Sequence, residues 1–361
     1  MGSGIGETAM HLNDLESPSV VIDLDAVERN LRRAQEYADA HALALRPHIK
    51  THKIPEFAHR QLRLGARGIT CQKIGEAEVM ADAGITDILI TYNILGQTKL
   101  DRLRSLARRT DLAVVADSEV VVQGLSETFS REPKKLPVLV ECDTGAHRCG
   151  VTTAGAAAGL AARIAALPGL RFRGLMTYPP KGGVAEVAAW LDEAKEACRR
   201  AGAEVEAVST GGTPDLFRAH EVKAATEHRP GTYIYSDRSL VARGFGTFED
   251  CALRIIATVV SRPTEDRCIL DAGSKTLTSD TLGLQGHGHI VEYPDIQIAG
   301  LSEEHGHCRI PPGSPAPRVG ERVTVVPNHA CVVSNLFDRI HGVRGDRVET
   351  VFTIAARGKV Q

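Results

Sequence analysis

The sequence lacks any apolar run of about 18 residues, so it offers no candidate membrane-spanning helix. It also lacks a surplus of either charge. Lys and Arg total 43 against 45 Asp and Glu, a net charge of −2, with no block of like charge. Nucleic acids and membranes are therefore excluded as expected partners. The start, Met1-Gly2-Ser3-Gly4, has neither the charged nor the hydrophobic region of a secretory signal, and a cytoplasmic location is expected. Dense cysteine spacing is absent too. The eight cysteines, at 71, 142, 149, 198, 251, 268, 308 and 331, include no Cys-x-x-Cys pair, which argues for reduced core thiols rather than a disulfide scaffold. Internal repeats and low-complexity linkers are missing.

What is present is an alternation. Short apolar runs at 20–23, 43–46, 68–70, 87–91, 113–116, 138–141, 172–176 and 205–209 read as strands. Between them, stretches such as 54–66, 74–84, 98–109, 157–169 and 183–202 carry helical spacing, and several end at glycine. Strand and helix at this rhythm predict a parallel sheet with helical crossovers, and eight such units predict closure into a barrel with its active face at the strand C-terminal ends. From about residue 246 the pattern changes to short β-rich runs split by Gly and Pro turns. The expected organisation is a barrel over 17–245 and a mostly β domain over 246–361. Residues 1–16 are expected either to pack on the second domain or to be disordered.

RPHIKTHK, residues 46–53, follows an early strand. A lysine just beyond a barrel strand, Lys50, stands on the catalytic rim, where partial desolvation lowers an amine enough to bond a carbonyl carbon; the alternative is an ordinary surface lysine. Late in the barrel come VSTGGTPD (208–215) and RPGTYIYSD (229–237), where glycines and hydroxyls after strands free backbone N–H groups to surround a phosphate. An early strand-end lysine with a late phosphate cup is what pyridoxal 5′-phosphate needs, because that cofactor is held by an aldehyde at one end and a phosphate at the other. ECDTGAHRCGV (141–151) places Arg148 at a third strand end, as a cofactor contact or as a rim salt-bridge partner.

In VPNHACVVSNLFD (326–338), His329 and Cys331 are two apart, so on an extended strand they share a face. Imidazole with thiolate suits zinc better than magnesium or calcium. Two ligands alone leave positions for water and substrate, the open geometry of a catalytic metal; the alternative is a buried cysteine beside a polar histidine.

Together RPHIKTHK, CDTGAHRCGV, STGGTP, RPGTYIYSD and PNHACVVSNLFD resemble the family of pyridoxal-phosphate enzymes that groups D-threonine aldolases with eukaryotic-type D-serine dehydratases and 3-hydroxy-D-aspartate enzymes. The likeness runs from about Leu15 to Gln361. It implies a (β/α)8 barrel of alanine-racemase type with a second, mostly β domain. It implies that Lys50 carries the cofactor aldehyde and that Arg148 lies near its phenolic oxygen. Thr210, Gly211, Gly212, Gly231, Thr232 and Tyr233 would hold the phosphate. Tyr178, in GLMTYPP, is similar to a cofactor-contacting tyrosine, with a core aromatic as the alternative. His329 and Cys331 match the family's metal ligands, with zinc favoured over manganese or magnesium, and a homodimer is implied. The expected reaction is retro-aldol cleavage of a β-hydroxy-D-amino acid to glycine and an aldehyde. His-x-Cys in place of the aldolase branch's usual His-x-Asp keeps the dehydratase (D-serine or 3-hydroxy-D-aspartate) as the alternative. A racemase and a non-catalytic pyridoxal-phosphate carrier rank below both.

Overall fold

The computed structural model describes residues 10–361; residues 1–9, and with them part of the expectation for 1–16, lie outside the described residues. The chain divides into two units. One, the barrel unit, comprises Leu31–Lys50, Ile54–Gly231 and Gly358–Gln361; the other, the β unit, takes the chain up to Asn30, Thr51–Lys53 and Thr232–Arg357. The chain thus passes from one unit to the other between Lys50 and Thr51, and again between Gly231 and Thr232.

The first strand, β1 (Ser19–Asp23), belongs to the β unit. The barrel unit holds eight parallel strands: β2 (Ala44–Leu45), β3 (Ile69–Cys71), β4 (Asp87–Ile90), β5 (Asp111–Ala116), β6 (Leu136–Cys142), β7 (Leu170–Thr177), β8 (Ala207–Gly211) and β9 (Glu227–Arg229). Their order is β2-β9-β8-β7-β6-β5-β4-β3. The two ends of that sheet are joined by a parallel bridge between His48 and Thr70, with Thr70 N–H donating to Pro47 O (2.8 Å) and Ile49 N–H to Thr70 O (2.9 Å). The ring closes there. Helices cross between successive strands as the spacing predicts, among them Pro55–Leu64, Ile74–Asp82, Gln97–Ala107, Ala154–Ala166 and Val184–Arg200.

The strand count of eight is right, but one member differs. Residues 20–23 read as the first barrel strand, yet β1 lies in the other unit; the eighth strand is β9, Glu-His-Arg, which has no apolar residue and is buried throughout. Its side chains are tolerated because they are paired inside the barrel. Arg46 donates through Nη1 to Asp87 Oδ1 (2.6 Å) and through Nε to Glu227 Oε2 (3.0 Å). Ser209 Oγ donates to Glu227 Oε1 (2.5 Å), and Arg229 Nη1 to Ser209 Oγ (2.5 Å). A buried charge left without these partners costs about 3–5 kcal/mol, so the ladder specifies β9 by compensation rather than by hydrophobicity. Beside it lies an apolar layer of Leu89, Ala113, Val115, Leu139 and Met176. β7 and β8 pair closely at Gly174, where a Cβ would stand 1.9 Å from Ala207 O, and the backbone φ of +151° is one that glycine alone adopts freely.

The β unit contains β10 (Leu253–Thr264), β11 (Arg267–Leu270), β12 (Gly288–Ile290), β13 (Gln297–Leu301), β14 (Gly306–Arg309), β15 (Arg322–Pro327), β16 (Arg339–Arg344) and β17 (Arg347–Thr353). The path runs β13-β14-β11-β10-β1-β16-β17, with β15 pairing both β10 and β12. β1 is antiparallel to β10 and parallel to β16. β10 serves two sets of neighbours along its length: residues 253–258 pair β1 and β15, and from Val259 it pairs β11 with register shifts after Val259 and Ser261. Residues after position 9 pack on this unit: His11 bridges Arg347, and Leu15 joins a cluster with Val21, Ile256, Val343 and Val348. No helix among the described residues is long and apolar enough to cross a membrane.

Candidate active site

In the barrel unit the sequence motifs fall at strand C-terminal ends, as the fold requires of an active face. Lys50 sits in the turn after β2 and is half-buried. Its Nζ makes no hydrogen bond or ion pair with any described residue, whereas Arg46, four residues earlier, is fully buried in the ladder above. His48 is 8% exposed. Its Nε2 lies 3.0 Å from Gln72 Oε1, Gln72 Nε2 donates to Thr91 O (2.9 Å), and the backbone N–H of Lys50 donates to His48 Nδ1 (3.4 Å). Burial, the charge of Lys50, and those of Arg229 and Arg148 hold the imidazole well below its ordinary pKa, outweighing the Gln72 hydrogen bond, so it is neutral.

Arg148, Tyr178 and Gly212 come together on another side of the mouth. The Arg148 guanidinium lies over the Tyr178 ring, 4.4 Å from its centroid. Gly212 has φ +118°, and a Cβ there would meet Tyr178 Cε2 at 3.7 Å. Arg148 Nη2 is also 4.0 Å from Glu141 Oε1 on β6. Burial and the nearby Asp117 push the Glu141 carboxyl up to about 7, against the pull of Arg148 and Arg229. The remaining cup residues are less free than their types suggest. Thr210 Oγ1 is within 3.0 Å of His228 Nδ1, turned into the barrel wall, and Gly231 N–H donates to Thr213 Oγ1 (3.2 Å). Arg229 is buried, donates to Thr177 O (2.8 Å), and is lowered to about 10 by burial.

The β unit holds the other cluster. His329 and Cys331 do not share a strand: β15 ends at Pro327, His329 is the extended residue capping the helix Ala330–Leu336, and Cys331 lies in that helix's first turn. Their proximity comes from a strand-to-helix corner, held by Asp237, whose Oδ2 accepts the Ala330 N–H (3.1 Å). His329 Nδ1 is 2.6 Å from Asp280 Oδ2. Thr51 Oγ1 and Thr232 Oγ1 lie 3.2 and 3.4 Å from Cys331 Sγ. Burial lowers His329, but the hydrogen bond and charge of Cys331 and the Asp280 hydrogen bond win, lifting it to about 9. Thr232 thus faces the thiol, and Tyr233 is buried at 3% exposure. His52 and Lys53 also belong to this unit and are buried at 0% and 6% exposure.

Among the described residues no three His, Cys, Asp or Glu side chains are grouped to hold a metal ion. The donor set is still chemically apt. With Nδ1 engaged by Asp280, His329 presents Nε2, and Cys331 supplies a sulfur, a borderline-soft pair that suits zinc. The barrel unit suits a cofactor with an aldehyde and an anionic end: an amine, Lys50 Nζ, without a partner among the described residues, a positive-φ glycine under an aromatic ring, and an arginine over that ring. Nothing in the sequence alone singles out Gln72, Glu141, Arg229, Thr51 or Asp280. Asp280 falls in DAGSKTLTSD, 271–280, a polar stretch that reads as a turn until His329 is brought to it.

The alanine racemase N-terminal domain family matches residues 22–239, and a serine dehydratase domain matches residues 252–343. A D-threonine aldolase from Arthrobacter sp is 37% identical, over 95% of this chain and 93% of its own length. The structure of a D-threonine aldolase from Filomicrobium marinum is 34% identical and superposes with a TM-score of 0.90, covering 98% of this chain and 99% of that one. D-threo-3-hydroxyaspartate dehydratase from Delftia sp. HT23 is 29% identical with a TM-score of 0.86, covering 95% and 98%. Structures of that dehydratase include a histidine-to-alanine variant and a cysteine-to-alanine variant, the latter in a metal-free form.

Proposed function

We propose, for a chain that belongs to the alanine racemase N-terminal domain family and carries a serine dehydratase domain behind it, the role of a pyridoxal 5′-phosphate-dependent lyase acting on β-hydroxy-D-amino acids. Within that role the reading is retro-aldol cleavage of a D-threonine-like substrate to glycine and an aldehyde, assisted by a divalent metal, zinc in the first instance. The observation that carries it is Lys50, an amine with no side-chain partner among the described residues, in a barrel whose buried Arg46 and Glu227 are paired. Full-length likeness to D-threonine aldolases supports the choice of reaction. The reading includes a cytoplasmic homodimer, as expected from the sequence.

Bound pyridoxal phosphate supplies an electron sink for the bond broken at the substrate's α carbon. Lys50 Nζ would hold the aldehyde carbon. Arg148, oriented by the Tyr178 face and by Glu141, would hold the phenolic oxygen as a fixed cation. The turn at Gly211 and Gly212, with the backbone of Thr210, Gly231, Thr232 and Tyr233, would hold the phosphate, the glycines allowing N–H groups to approach it. His329 Nε2 and Cys331 Sγ would hold the metal ion, which would supply Lewis-acid chemistry for the substrate hydroxyl. Asp280 fixes the His329 ring and its tautomer.

Dehydration is the second reading, and Cys331 is what favours it, since the Delftia dehydratase is known in histidine and cysteine variants. The test is a pair of assays. Acetaldehyde and glycine from D-threonine are expected; pyruvate and ammonia from D-serine, with no aldehyde from D-threonine, would replace the aldolase by the dehydratase. Activity that survives thorough chelation, with interconversion of D- and L-alanine, would point to a racemase instead.

A further inference from the structure

The contacts of His48 define its protonation without reference to solution pH. Thr91 O only accepts, so the Gln72 amide must turn its Nε2 toward it and leave Oε1 for His48. Oε1 only accepts, so His48 Nε2 must carry a proton. At the other side of the ring the backbone N–H of Lys50 only donates, so Nδ1 must offer a lone pair. One tautomer, the neutral imidazole protonated on Nε2, satisfies the whole chain of contacts. An imidazolium would set Nδ1–H against the Lys50 N–H and add a positive charge beside Lys50, Arg148 and Arg229.

We propose that His48 is a positioning residue: a neutral imidazole anchored through Gln72 to the end of β4, whose Nδ1 fixes the turn that carries the Lys50 amine. This gives a role to a side chain of the cationic cluster that the cofactor itself does not need. The geometry is that of an Asx turn, a side-chain acceptor taking the N–H two residues on, with an imidazole in place of the carboxamide. It aims Nζ by holding the backbone, leaving the amine without a side-chain partner. The proposal rests on Lys50 being the lysine that binds the cofactor.

Two measurements on the holoenzyme separate the proposal from that premise. Proton–nitrogen correlation spectra of the histidine rings, with His48 assigned through His48→Asn, should show Nε2 protonated and Nδ1 bare from about pH 6 to about pH 9. An imidazolium, or a proton on Nδ1, overturns the proposal. In kinetics, His48→Phe keeps ring volume but removes the acceptor, and should lower kcat by about tenfold or more, the cost of a slightly misaimed reacting group. His48→Asn restores an acceptor for the same N–H and should recover most of that loss, while borohydride still fixes the cofactor on Lys50 in both variants. Equal losses in the two variants, or a harmless His48→Phe, would refute the positioning role. A borohydride label on some lysine other than Lys50 in the unaltered protein would instead remove the premise, with the spectra still reporting the His48 tautomer.

Discussion

His48 is buried and His329 half-buried, both stand at candidate reaction groups, and they are shifted in opposite directions. His48 is surrounded by cations, Lys50, Arg148 and Arg229, and stays neutral; His329 faces Asp280, Cys331 and Asp237 and is raised to about 9. The barrel mouth is an electropositive place suited to an anion such as a phosphorylated cofactor. The His329 cluster is electronegative and suited to a cation. Each unit therefore brings its own ligand preference, and Lys50–Thr51 and Gly231–Thr232 are the two points where a cationic or glycine motif of one unit continues directly into a hydroxyl that contacts the thiol of the other unit's pair.

The comparison breaks most completely at Lys50. Lys50→Ala should abolish turnover and the visible absorbance of the bound cofactor while leaving zinc content unchanged, as measured by metal analysis of the purified protein. Persistence of turnover would move the anchor to Lys53, which the structure buries at 6% exposure in the other unit.

The opposite half is tested at Asp280 and His329. His329→Ala should remove activity and zinc while the cofactor stays bound. Asp280→Asn keeps the volume but leaves a weaker acceptor for Nδ1–H, and loss of such a partner typically weakens metal binding by about 10–100-fold. Zinc titration against a competing chelator reads this directly. Unchanged affinity in Asp280→Asn would mean that the 2.6 Å contact orients nothing.

Much of this was legible in the sequence because periodicity reports on apolar faces. The closed barrel, the β-rich second unit and the motif lysine follow from runs of buried Val, Ile and Leu and from strand-end positions. β9 was not legible, because Glu227-His228-Arg229 is buried through ion pairs that form only once Arg46 and Ser209 are brought to it. The assignment of 20–23 to the barrel fails for the converse reason. An apolar strand does not say which sheet it joins, and β1 pairs with residues more than 200 positions away. The same limit hid Asp280 and Gln72. Each is an ordinary polar residue until a distant histidine arrives. The His-x-Cys spacing was read on the wrong local structure, since a helix cap and first turn, not a strand, carry the two side chains.

The smallest effect expected is at Glu141, an acidic side chain near the cationic mouth that burial pushes up toward neutrality. Its carboxyl titrates at about 7 in the folded chain against an ordinary 4.5. A raised acid favours the folded state while protonated, so its contribution is full below about pH 4.5 and is lost as the pH rises through about 7, worth about 3 kcal/mol in all. Glu141→Gln cannot ionise and should lose no such contribution. Its melting temperature relative to the unaltered protein should therefore climb by several degrees between about pH 5 and pH 8. A parallel response of the two proteins would place the Glu141 ionisation well below neutrality, paired to Arg148 more tightly than the 4.0 Å separation implies. The Gln variant should also loosen Arg148, which loses the facing Glu141 carboxylate, and the expected sign is weaker cofactor retention at alkaline pH, where the carboxylate of the unaltered protein is ionised and the attraction is complete.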